Sequence, residues 1–189
     1  DIEVLMVVHP KRLPDAALYA IDQFVLGGGR ALFFVDPFAE VDRGDPADPS
    51  GGLRSPSLNR LLDAWGIHID DTTIVADDRY AMTVGLGADS RPVRHLGVLG
   101  IEPAAMSPDD IITGSLNLMT FAFPGYITRD QDAPATLQPL VESSEHAGLI
   151  PVERLAIMSD PEMLRADFKP TGERYVLAAR ISGKVPSEL

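Results

Sequence analysis

The sequence predicts an α/β domain built on a mostly parallel sheet sandwiched between helices, and three observations carry the prediction. Residues 4–8, Val-Leu-Met-Val-Val, are apolar on both faces, as a parallel strand covered by helices above and below must be. An amphipathic segment follows in which Ala17, Leu18, Ile21, Phe24 and Val25 recur at the spacing of one helical face. A second apolar run, residues 32–35, completes a β-α-β unit with a right-handed crossover.

Each element has local reasons for its ends. Pro10 has no N–H to give a ladder, so the first strand stops there. Pro14 suits the first turn of the helix, and Gly27, Gly28 and Gly29 supply the left-handed conformation that closes it. Those glycines are not a phosphate loop, because they follow a helix and precede a strand, and anion-binding amides belong to a helix N-terminus. Residues 40–56, rich in proline, glycine and acids, form a long loop. Ser57 caps a helix running through Leu58, Leu61, Leu62 and Trp65 to Gly66, with Trp65 on the core side.

Residues 72–76 read as a third strand, and the alternation of Met82, Val84 and Leu86, followed by residues 93–99, reads as a hairpin or edge pair. Pro108, Asp109 and Asp110 open a short helix before a strand at residues 116–121, and Pro124-Gly125 is turn chemistry. Residues 136–141 form a strand leading to Ser143 and Ser144, residues 161–166 a short helix, and residues 175–182 a closing edge strand. The pattern as a whole is a flavodoxin or glutamine-amidotransferase type of sandwich, a single domain over residues 1–189.

The 189 residues, 45% of them hydrophobic, suffice for a sizeable core. Charge excludes more than it includes. With 28 acids against 16 bases the net charge is -12, and no Lys/Arg cluster appears along the chain, so nucleic acid and anionic lipid are disfavoured partners. Between residues 36 and 110 lie 14 of the 28 acids, and this acidic middle third is the face expected to steer toward a basic partner. The absence of cysteine removes disulfides, thiolate metal sites and a cysteine nucleophile. No run reaches the roughly 20 apolar residues of a membrane span.

Candidate chemistry is sparse. His9 and Asp36 fall at the carboxyl ends of the first two strands, where ligands of open α/β sheets gather. With Pro10 and Pro37 they form the candidate ligand site, covered by the loop 40–56 as a lid. No Gly-x-Ser-x-Gly elbow is present: Gly114-Ser115 lacks the second glycine, and Ser143-Ser144 precedes Glu145-His146 without a strand-to-helix turn. The histidines at 9, 68, 95 and 146 lack His-x-x-x-His spacing, and Asp42, Asp45 and Asp48 hold at most a weak calcium ion, so no metal, cofactor or catalytic residue is assigned. A degenerate enzyme would have to use His9, Asp36 or His146.

Several words of the chain also resemble a known family. They are His9-Pro10-Lys11, the stretch 18–30, Phe34-Val35-Asp36-Pro37, the stretch 61–67, Pro139-Leu140-Val141-Glu142-Ser143-Ser144 and the stretch 175–184. Together they resemble the GldG-like auxiliary domain of ABC-type transport and gliding-motility systems, a relative of the domain in intraflagellar transport proteins. The resemblance implies a non-catalytic soluble domain of a larger, membrane-anchored protein on the periplasmic side of the bacterial inner membrane. It also implies ABC permease and ATPase subunits as partners. A small-molecule or carbohydrate binding module, with the ligand between His9 and Asp36, is the first alternative.

Overall fold

The computed structural model describes residues 2–10, 13–39, 56–85, 91–157 and 160–187. In chain order the elements are β1 (Val4–Val8), α1 (Asp15–Leu26), β2 (Arg30–Phe34), α2 (Pro56–Ala64), β3 (Ile67–Ile69), β4 (Thr73–Asp77), β5 (Ala81–Val84), β6 (Val93–Ile101), β7 (Met119–Ala122), β8 (Ile127–Arg129), β9 (Ala135–Glu142), β10 (Ala147–Pro151), α3 (Val152–Ile157), α4 (Pro161–Ala166) and β11 (Val176–Gly183). Two compact units result, the first from residues 1–71, 127–137 and 181–189, the second from residues 72–126 and 138–180.

The first unit holds the β-α-β motif that the sequence predicts. β1 and β2 are parallel, with Met6 beside Leu32 and Val8 beside Phe34. α1 buries Leu18 and Ile21 against Leu58, Leu61, Leu62 and Trp65 of the α2 segment and Ile67 of β3. The helix stops as expected: Gly28 sits at φ 91°, and a Cβ on Gly29 would lie 2.5 Å from the Phe24 ring. Gly66, at φ 71°, turns α2 into β3, which pairs antiparallel with β8. Trp65 is buried, as its place on the apolar stripe requires.

The second unit packs Val75, Tyr80, Leu99, Ile101, Val141, Ala147, Tyr175 and Leu177 into its core. Around them β5, β6 and β7 form an antiparallel sheet in that order, and β10 pairs antiparallel with β4. β9 and β11 pair with each other. The alternation at residues 82–84 correctly signals an antiparallel pair, and α4 spans the residues predicted.

The mostly parallel, helix-sandwiched sheet of flavodoxin or glutamine-amidotransferase type is overturned. Among the described residues one strand pair is parallel, β1 with β2, and the others whose direction is resolved are antiparallel. Connection length accounts for part of this: a parallel return needs a crossover of about a dozen residues or more, which α1 supplies between β1 and β2, whereas the eight residues 85–92 between β5 and β6 are too few. Two local expectations also fail. β1 is covered on one face only, its exposure alternating along the strand, and residues 108–115 form turns rather than a helix. The Asp110 carboxylate instead caps that turn through the Ile112 N–H at 2.9 Å.

Candidate functional site

The strand-end residues come together as the β-α-β unit dictates. His9 leaves β1 in the left-handed region, at φ 43°, and its N–H donates to the Phe34 carbonyl at 2.8 Å, adding one rung beyond the strands. Asp36 follows β2 within electrostatic reach of His9. Burial pushes the Asp36 carboxyl above the usual carboxylate range, and the neighbouring His9 offsets part of that rise. Pro10 and Pro37 are buried, so they shape the strand ends from within. The proposed lid and the aspartates at 42, 45 and 48 lie outside the described residues.

The Ser143-Ser144-Glu145-His146 segment is bound up in structure. Asp77, fully buried at the end of β4, accepts from the Ser144 amide at 2.7 Å, the Ser144 hydroxyl at 2.8 Å and the Arg79 amide at 2.9 Å. Ser144 Oγ in turn accepts from the His146 amide at 3.0 Å. Ser143 Oγ accepts from the Tyr175 amide at 2.8 Å and donates to the Ser144 carbonyl at 3.2 Å. Both hydroxyls are committed to backbone and carboxylate rather than to an imidazole base, which is the partner a nucleophilic serine requires. The segment lines a cleft of about 140 Å³ with Arg79, Tyr80 and Arg174.

Two ionic groupings were not legible from spacing. His68 is held between Asp63 at 2.7 Å and Asp130 at 2.9 Å; the Asp63 contact does most to raise its pKa above 6.5, burial opposes the rise, and Asp130 adds to it. Asp110 accepts a fork from Arg180, with Nη2 at 2.8 Å and Nε at 3.1 Å, across 70 residues of sequence. Its carboxyl lies below the ordinary range, first through the Ile112 amide and then through Arg180, with burial opposing. Of the remaining histidines, His95 is buried and its Nδ1 accepts from the Gly97 amide at 3.1 Å, while His146 is exposed at the rim of the cleft.

A more conspicuous feature is the outward face of β1 and β2. Val4, Met6, Val8, Leu32 and Phe34 point away from the core that Leu5, Val7 and Phe33 enter, and Met6, Val8 and Phe34 are 60%, 63% and 48% exposed. Side-by-side register makes them one continuous patch, with Arg30 at its corner. No curated protein and no solved structure matches the chain. The family described as an ABC-type uncharacterized transport system matches residues 1–189, and the chain belongs to it as an auxiliary domain of an ABC-type transport system.

Proposed function

We propose that this chain is a non-catalytic domain that works by docking to the permease of its transport or gliding-motility complex, which joins it to the ATPase subunits across the membrane. In this reading it sits on the periplasmic side of the inner membrane, within a membrane-anchored protein. The observation that carries it is the bare apolar face of β1 and β2. With Ile2 added, the exposed parts of its six large side chains amount to on the order of 500 Å². One side of a standard interface buries about 800 Å², so an apolar surface on one partner subunit would fill most of its half through this face. The charge of -12 speeds approach to a basic surface and weakens with salt.

The serine hydroxyls near His146 support the non-catalytic part, since each is already spent on a buried turn. Purification of the complex from native membranes through an affinity tag on this protein is the test. Permease and ATPase should co-purify in stoichiometric amounts; a protein that emerges alone in mild detergent and turns over a substrate through His9 or Asp36 would replace docking with catalysis.

A second reading, a small-molecule or carbohydrate binding module, is favoured by the desolvated Asp36 carboxyl beside His9 at the strand ends. NMR titration with a panel of monosaccharides should then shift His9 and Asp36 resonances, and Asp36→Asn should abolish the response. Unmoved resonances across the panel would remove the carbohydrate reading.

A further inference from the structure

The second unit gathers arginines that are scattered in sequence. Arg91 and Arg94, just before and within the start of β6, and Arg165 of α4 line one cleft of about 240 Å³ with Val93 and Glu162. The chain has only 16 bases, so three around one small opening of so acidic a protein is a local reversal of its charge.

Among the described residues these guanidinium groups are only partly neutralised by their neighbours. Arg94 pairs across the sheet with Thr83, and its Nη2 reaches back to the β4–β5 turn, donating to the carbonyls of Asp78 and Arg79. Carbonyls satisfy N–H groups without cancelling the charge. Arg94 Nε is buried and has no acceptor among the described residues. Arg165 Nη2 lies 3.5 Å from Asp78 Oδ1, a distance at the loose end of an ion pair, and Arg91 is exposed at the mouth. Among the described residues, three guanidinium groups thus face two carboxylates, Glu162 and Asp78, which leaves a surplus positive charge around the cleft.

Forked N–H donors with uncompensated charge match the oxygens of phosphate and carboxylate groups. Size narrows the ligand further. The cleft holds about 240 Å³, below the roughly 300–1,000 Å³ of pockets that enclose drug-sized molecules, so it accommodates one such group and a few waters. We propose that the cleft between β6 and α4 binds a single small oxyanion, a phosphate or a carboxylate group. This site is independent of the apolar face and of the residues at the ends of β1 and β2.

The test is amide NMR titration of the whole chain at low ionic strength with inorganic phosphate and, separately, with succinate, each against sodium chloride of equal ionic strength. Saturable shifts at the amides of Arg91, Val93, Arg94 and residues 162–165 are expected, with a dissociation constant on the order of 1 mM for at least one of the two anions. Saturation by phosphate alone assigns a tetrahedral oxyanion, and saturation by succinate alone a carboxylate. Arg91→Ala, which removes no described hydrogen bond, and Arg94→Lys, which keeps the charge but not the fork, should each weaken binding about tenfold. Arg60→Ala, in the other unit, should leave it unchanged. Shifts no larger than those of sodium chloride with both anions overturn the proposal, as does saturation that survives both cleft substitutions undiminished.

Discussion

Asp77 is the most informative single residue to remove. It is 0% exposed and accepts from the amides of Ser144 and Arg79, the hydroxyl of Ser144 and, at 3.4 Å, the amide of Tyr80. Alanine would leave three well-placed donors and one long one facing a cavity. A buried donor without a partner costs about 1–3 kcal/mol, so the loss from three amounts to roughly 3–6 kcal/mol after partial relaxation. That approaches the whole stability of a typical domain, about 5–15 kcal/mol. Ser144→Ala removes one bond to Asp77 and the acceptor of the His146 amide, and should cost about 1–2 kcal/mol. Urea unfolding followed by circular dichroism reads both, and a double-mutant cycle should return a coupling of about 1 kcal/mol or more. An Asp77→Ala midpoint within about 0.5 kcal/mol of the parent would refute the structural role of this carboxylate.

Three further outcomes follow from the geometry. Gly29→Val should destabilise by more than the ~1 kcal/mol of an ordinary helix glycine change, because its side chain would meet the Phe24 ring and carbonyl, and Gly28→Val should do so through its φ of 91°; unchanged thermal midpoints for both would remove the helix-closing role. His68 has a raised pKa in the fold, so its contribution to stability is complete below its unfolded value and fades as pH rises through the folded one; its two partners are half exposed, so the effect is small, and an NMR titration midpoint at or below 6.5 would contradict it. Asp110 has the opposite sign. Its lowered pKa contributes stability above the unfolded carboxyl value that disappears as pH falls through the folded one, so Asp110→Asn should flatten the acid limb of the stability curve, and an unaltered limb would count against the Arg180 fork.

The sequence was most legible where one local rule decides the outcome. Pro14, the three glycines and the 3.6-residue spacing of Leu18, Ile21 and Val25 mark α1 without help from tertiary structure, and Pro161 marks α4 behind its Asp160 cap in the same way. Strand pairing is not local. The run at residues 73–77 reads as a strand, but nothing in it says that its partner is β10, some seventy residues later and antiparallel. Apolar content on both sides of β1 suggested helices on both faces, whereas the second apolar side is the bare patch. Candidate sites divide similarly: that His9 and Asp36 fall at neighbouring strand ends was predictable, while the arginine cleft joins residues 91, 94 and 165 and becomes visible only once β6 and α4 meet.

The bare face gives docking its sharpest test. Met6→Glu combined with Phe34→Glu places two charges on neighbouring strands, at side chains that are exposed in the isolated chain. Stability of the isolated chain should change by no more than about 0.5 kcal/mol per site. In the tagged complex from native membranes, the same double variant should lose permease and ATPase, since two buried, unpaired carboxylates oppose association. Retention of both subunits at parental stoichiometry by a folded double variant would contradict docking through β1 and β2.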